Sequence, residues 1–102
     1  MTDKELLELA AKAAGYTLED RYTKQDEYWP WCEEVDCIWN PLADDGDALR
    51  LAVKLGIHIT SSVTDAWASA LTVTAIEPMR DDPYAATRRA IVRAAAAIGR
   101  TM

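Results

Sequence analysis

The chain has 102 residues, half of them hydrophobic, which is enough for one domain around one modest core. Its net charge of −6 is opposite in sign to that of most proteins that bind nucleic acid directly, so no direct nucleic-acid contact is expected. The sequence shows neither a leader-like segment nor an apolar run of membrane-spanning length, which predicts a cytosolic protein that makes no membrane contact.

Alanine supplies 18 of the 51 apolar residues, and phenylalanine is absent. Large side chains are therefore scarce, and tryptophan and tyrosine, which each bury about 150 to 250 Å², should supply much of the core volume. We expect the Trp39 and Trp67 rings to be core. Residues 19–47 hold ten acids and two bases, a local charge of −8. A solvated acidic surface is the simpler interpretation of that charge, and mimicry of a DNA backbone is the alternative.

The N-terminal third predicts one helix and then short strands. Thr2 and Glu5 have capping-box spacing, which predicts a helix over about residues 3–14. Residues 16–22 and 28–32 are short and mixed, and Pro30 places the second of these segments at a sheet edge or a bulge. Alternation over residues 35–39 predicts a strand with Val35 on the same side as Trp39.

The remainder predicts two further helices around a strand pair. Residues 43–56 carry acids in the first turn and end in Gly56, which predicts a helix. Its expected buried side comprises Ala48, Leu49, Ala52, Val53 and Leu55. Alternation over residues 57–63 and 71–75 predicts two strands, with the hairpin near residues 64–65. Asp82 and Pro83 predict the start of a last helix, which has Tyr84 on its apolar side and ends at Gly99.

The predicted element order is α-β-β-α-β-β-α, which indicates a single α+β domain over residues 1–102. We expect an antiparallel sheet of about four strands packed with three helices. The segments WNPLADDGDALRLAVKLGI (residues 39–57) and DDPYAATRRAIVRAAAAIG (residues 81–99), together with ELLELAAKAAGY near the N-terminus, resemble the phage ABA sandwich domain family. The resemblance implies an α/β/α sandwich and an accessory protein of a bacteriophage or prophage, with no catalytic residues to carry over.

Aromatic and thiol groups crowd residues 28–39. Trp29 and Trp31 are two apart and would share a face of an extended segment, where they could stack a flat ligand or cover the sheet. Trp29, beside Pro30, is the better candidate for exposure. The spacing of Cys32 and Cys37 does not match a metal half-site, so we predict reduced thiols and no metal.

Two further clusters are candidates for binding. His58, Thr60 and Thr72 would lie on one polar face of a sheet, which is either solvated or, if covered, a polar pocket. Arg88, Arg89 and Arg93 could hold a phosphate or carboxylate, or form a solvated helix face. The sole histidine has no identifiable catalytic partner, and no phosphate loop, nucleophile elbow or metalloprotease motif is present.

We therefore predict a non-catalytic accessory protein without a cofactor that binds a host protein in the bacterial cytoplasm, as a counter-defence factor for example. One alternative is a small-ligand sponge that binds a nucleotide, with Trp29 or Trp31 stacking on its ring. Another is an acidic DNA mimic that inhibits a DNA-binding protein. The sequence leaves homodimerisation open.

Overall fold

A computed structural model describes residues 1–70 and 73–102. Within these residues the chain is α+β, with three helices and two three-stranded antiparallel sheets. The elements are α1 (Asp3–Ala14), β1 (Leu18–Glu19), β2 (Trp31–Cys32), β3 (Cys37–Ile38), α2 (Asp45–Leu55), β4 (His58–Ser61), β5 (Asp65–Ala70), β6 (Val73–Pro78) and α3 (Pro83–Arg100). The α+β class is confirmed, but the expectation of about four strands in one sheet is wrong.

Helix α1 begins and ends where the sequence predicts. The Thr2 hydroxyl accepts from the Glu5 amide, and the Glu5 carboxylate accepts from the Thr2 amide, so the capping box is present. Gly15 ends the helix with φ of 76°, a left-handed conformation that a glycine adopts without steric cost.

The first sheet is a small ribbon in the order β1-β2-β3. Trp39, which follows it, is 2% exposed and packs edge-on against Tyr16 with ring centroids 5.5 Å apart, so its predicted core position is confirmed. The prediction that Val35 lies on the buried side with Trp39 is wrong. Residues 33–36 form the turn between β2 and β3, with Asp36 at φ of 54°, and this turn leaves Val35 exposed.

Helix α2 has a different buried side from the predicted one. Leu51 is fully buried with Ala48 and Ala52, whereas Leu49 is 58% exposed and Val53 is 74% exposed. The prediction placed Leu49 and Val53 in the core because their i, i+4 spacing is typical of a buried stripe. In the structure the narrower alanine side carries the burial, and the Leu49–Val53 pair faces outward.

The second sheet has the order β4-β5-β6, and β5 was not predicted. Ala66, Ala68 and Ala75 are buried on one face of this sheet, against which α3 packs. The opposite face is exposed along β4, at Trp67 and at Ile76. The described helices therefore cover one face only, and the predicted α/β/α sandwich does not match this arrangement.

Helix α3 is the central element and packs against α1, α2, β5 and β6. It begins at Pro83 behind the Asp82 cap, as predicted, and runs to Arg100, one residue past the predicted end at Gly99. Tyr84, predicted on the apolar side, is 70% exposed because the first turn of α3 extends beyond the core. Gly99 is buried where α3 crosses α1, and a Cβ at this position would overlap the Leu9 carbonyl oxygen.

We expect Gly99→Ala to lower the free energy of unfolding by about 2 kcal/mol or more, because the added methyl meets backbone that cannot move independently of α1. Urea unfolding measures the change. Gly46→Ala is the matched control, since a Cβ there meets mainly the guanidinium end of Arg50, an exposed and flexible group. The control should be neutral or stabilising by up to about 1 kcal/mol. Equal effects of the two substitutions would contradict the close helix approach.

Candidate functional site

The uncovered face of the second sheet is the candidate site, and we call it the open face. The strand register aligns its side chains in two rows across the three strands. One row is Thr60, Trp67 and Ile76, and the other is His58, Ser69 and Thr74. Asp65, paired with Pro78, continues the same face at the hairpin end of β5 and β6. Side chains directly opposite on neighbouring antiparallel strands lie about 4.5 to 5.5 Å apart at Cβ, so each row forms one continuous strip.

Trp67 is the most unusual residue of the open face. It lies on the central strand, is 44% exposed, and is paired with Ile76, which is 43% exposed. The expectation that Trp67 is core is wrong, because the alternation of DAWASA turns its alanines toward α3 and its tryptophan outward. Indole and aliphatic groups left together in solvent are more informative about binding than single exposed apolar side chains are.

The open face includes two of the residues that the sequence singled out. His58 and Thr60 lie there and are exposed, whereas Thr72 lies outside the described residues. Sequence reasoning missed Trp67 and Ile76. The available signal was the alanine at every second position of residues 65–70, which marks a strand with one tightly packed face and one free face.

The arginine cluster does not join the open face. Arg88 donates to the Leu42 carbonyl oxygen and pairs with Asp45 at 2.6 Å, which ties α3 to the start of α2. Its side chain is largely buried in this position. Arg88 therefore points away from the two other arginines.

Arg89 and Arg93 converge on one carboxylate. Arg93 lies 2.7 Å and Arg89 3.3 Å from Glu77, and Arg89 also reaches Asp3 at 3.1 Å. Arg93 additionally donates to the Ile76 carbonyl oxygen at the outer edge of β6. Carboxylates of the chain itself thus occupy the positions that a ligand phosphate would take beside these guanidinium groups.

The paired tryptophans lie in the first sheet and its approach, away from the open face. Trp29 was the predicted exposed ring, but it is half-buried and donates from Nε1 to Glu27 at 3.0 Å. It lines a cleft of about 390 Å³ together with Lys4 and Tyr28. Trp31 is also half-buried, and the Arg21 guanidinium lies 4.6 Å from the centre of its ring.

The ionisable groups around that cleft are joined by hydrogen bonds and an ion pair. The Tyr28 hydroxyl donates to Asp20 at 3.0 Å, and Lys4 lies 3.3 Å from the same carboxylate. The Tyr28 hydrogen bond, followed by that from Lys4, lowers the pKa of Asp20 below its ordinary value. Desolvation and the Asp20 carboxylate raise the pKa of Tyr28, so the phenol stays protonated at neutral pH.

Several of the acids in residues 19–47 have structural roles. Asp44 caps α2, and Asp47 is buried, where it accepts from the Asn40 amide and from Arg50. Glu34 accepts from the Thr17 amide, and this bond lowers the pKa of its carboxyl. The other acids of this segment are exposed, so the acidic surface is present and the DNA-mimic alternative stays a prediction.

The two thiols face each other across the β2–β3 ladder but differ in exposure. Cys32 is fully buried and Cys37 is exposed. Burial raises the pKa of the Cys32 thiol, because the thiolate would lose its hydration. The described residues contain no group of three or more His, Cys, Asp or Glu side chains placed to hold a metal ion.

Comparison with family models, curated proteins and solved structures gave no match to this chain. The resemblance to phage ABA sandwich proteins, and the phage origin that it implies, therefore stay predictions. None of the helices in the described residues has the length and apolar character that a membrane span requires.

The thiols should differ in chemistry as they differ in burial. With iodoacetamide at neutral pH, we expect the folded protein to gain one adduct quickly at Cys37 and a second only slowly at Cys32, because the reagent reaches the exposed sulfur directly and the buried one only when the structure opens locally. Raising the pH should speed the second reaction, since it ionises a thiol whose pKa is raised. Mass spectrometry over time measures both steps. Cys37→Ser should remove the fast step alone, and loss of the slow step instead would contradict the assignment.

Proposed function

We propose that the chain is a non-catalytic protein-binding domain, an accessory protein of a phage or prophage that engages a host protein through the open face. The observation that carries the proposal is the exposed Trp67 at the centre of a sheet face with no helix over it. Tryptophan is enriched among the residues that dominate binding energy, and these residues cluster near the centres of interfaces.

The surroundings of Trp67 have the make-up of a small interface. Ile76 adjoins the indole as a second apolar group, and Thr60, Ser69 and Thr74 supply hydroxyls around the pair. An apolar centre with a rim that can donate and accept hydrogen bonds is the usual anatomy of a dissociable protein–protein contact. The partner should therefore present an apolar pocket for the indole and backbone or side-chain polar groups around it.

Charge supports a protein partner over a nucleic acid. Among the described residues of the open face, Asp65 at the hairpin end is the one carboxylate and there is no Lys or Arg, and the chain carries −6 overall. Binding to nucleic acid depends on cations that neutralise phosphates, and the described part of the open face presents neither a lysine nor an arginine. Because the centre of the face, at Trp67 and Ile76, is apolar, we expect the proposed contact to depend only weakly on salt.

A catalytic role has no support from the surroundings of His58. Its side chain is exposed on β4, and among the described residues no carboxylate makes a hydrogen bond to it. A histidine that acts as a general base is normally oriented by such a partner. We therefore assign His58 to the rim of the binding surface.

A second candidate, binding of a nucleotide or similar flat ligand, is favoured by the cleft beside Trp29. The cleft combines the Trp29 indole and the Tyr28 ring, which are suited to stacking on a flat ligand, with the Lys4 ammonium, which would have to exchange its Asp20 partner for a ligand anion. Arg88, Arg89 and Arg93 are excluded from this candidate's phosphate contacts by their existing carboxylate partners.

Trp67→Ala tests the main proposal. We expect it to weaken binding to the purified host partner at least about 30-fold, because central tryptophans in interfaces contribute about 2 kcal/mol or more. Capture from lysate of the bacterial host would identify the partner, and calorimetry would measure the affinity. Unfolding by urea should show little change, since the indole is partly in solvent.

Tyr22→Ala is the matched control, because Tyr22 is an exposed aromatic that bridges to Tyr28 and does not belong to the second sheet. It should leave partner affinity unchanged. Failure of the wild-type chain to retain any specific host protein would count against the proposal, as would equal losses in the two variants.

Thermal-shift measurements with a panel of nucleotides test the second candidate. A ligand that binds only the folded chain raises the unfolding midpoint, by an amount that grows with its concentration above Kd. Trp29→Ala should abolish that rise while Trp67→Ala preserves it. A midpoint unchanged by the whole panel would exclude the nucleotide candidate and leave the main proposal standing.

A further inference from the structure

The two edges of the second sheet are not equivalent. At the outer edge of β6 the Ile76 carbonyl oxygen accepts from Arg93, and Pro78 has no amide hydrogen to offer. Strand β4 forms the other edge, is exposed at all four residues, and contains neither a proline nor a charged side chain. Proteins usually protect edge strands with such residues, because an open edge can pair with another strand.

The alternation of hydrogen bonds along the β4–β5 hairpin shows which backbone groups of β4 are not bonded to β5. The Ser62 amide donates to the Asp65 carbonyl oxygen, so Ser62 and Asp65 are a hydrogen-bonded pair. Hydrogen-bonded and non-hydrogen-bonded pairs alternate along an antiparallel ladder. The amide and carbonyl groups of Ile59 and Ser61 therefore point away from β5, toward the uncovered side of β4.

Beside this edge lies an apolar groove of about 380 Å³ between α2, β4 and α3. Ile59 reaches into it from the strand, and Leu49 and Tyr84 line it from the two helices. Its only charged lining residues, Asp45 and Arg88, are paired with each other. The groove thus selects neither a cationic nor an anionic partner, and it does not repel an identical chain despite the net charge of −6.

We propose that a second copy of this chain pairs with β4, strand edge to strand edge, to form a two-fold symmetric dimer with a continuous six-stranded sheet. One register satisfies all of the outward groups. With Thr60 opposite its own copy, Ile59 lies opposite Ser61 of the second copy, and the two symmetric pairs form four interchain hydrogen bonds.

A register centred on Ile59 is excluded, because it would place Ser61 opposite Ile57, whose amide already donates to the Ala52 carbonyl oxygen at the end of α2. In the register centred on Thr60, the Ile59 side chain of each copy lies on the groove side of the sheet, directly beside Ser61 of the other copy. The Thr60 hydroxyls meet at the two-fold axis on the open-face side, where opposed threonines hydrogen-bond favourably.

Ser61→Pro tests the pairing in the intact chain. The Ser61 amide is outside the ladder to β5, so proline removes only the outward donor and should leave the fold intact. Sedimentation velocity over rising concentration should give a wild-type species of twice the 11.3 kDa chain mass. The substitution should weaken dimerisation at least about 30-fold, because it deletes two of four bonds and blocks approach. Ser61→Ala, which keeps the amide, should preserve the dimer.

A cross-link tests the register without relying on proline. In a Cys37→Ser background, which removes the exposed thiol, Thr60→Cys should form an interchain disulfide in a glutathione redox buffer. Opposed residues of a non-hydrogen-bonded pair have Cα atoms about 4.5 Å apart, within the range that disulfides span. Thr74→Cys, also on the open face but on β6, should cross-link at least about tenfold more slowly.

A wild-type chain that stays monomeric at about 300 μM would overturn this inference, as would a dimer unaffected by Ser61→Pro or equal cross-linking at the two positions. These measurements use no host protein. Their failure would leave the proposed role of the open face untouched, and failure of the Trp67 experiment would leave the dimer untouched.

Discussion

The close approach of α3 to its neighbours is the constraint on which the rest of the structure depends. Ala66 and Ala68 of β5 lie under this helix, and Gly99 lies against the α1 backbone at Leu9. Side chains of this size let backbones pack closely and remove little apolar area each, so the interior gains its cohesion from many short contacts. Larger residues at these positions would force the layers apart.

This packing explains why several large apolar side chains lie outside the core. Strand β5 has only two faces, and once one face must be alanine to admit α3, a large residue on that strand must point to the other face. In the same way, the narrow buried side of α2 leaves Leu49 and Val53 facing outward. The exposed apolar groups are thus consequences of a core built from small residues, and they concentrate on the surfaces around the second sheet.

How far the sequence predicts the structure follows from the same physics. Helix ends were predictable because caps are local: Thr2 with Glu5, Gly15 and Asp82 each act within one turn. Which side chains are buried was not predictable in this way. The prediction assumed that large apolar side chains such as tryptophan fill the interior in preference to alanine. Here the interior selects for small size. The strand β5 was missed for this reason, and with it the central residue of the candidate site.

The two surfaces are linked through the geometry of β4. His58 and Thr60 belong to the open face by their side chains, while the backbone groups of Ile59 and Ser61 form the open edge between those side chains. Edge pairing centred on Thr60 would use the Thr60 hydroxyls but leave Trp67 and Ile76 accessible to a protein bound on the open face. It would also place two copies of Trp67 on one continuous sheet, each one strand away from the two-fold axis. A partner with two identical pockets would then be bound bivalently, with an apparent affinity well above that of a single open face.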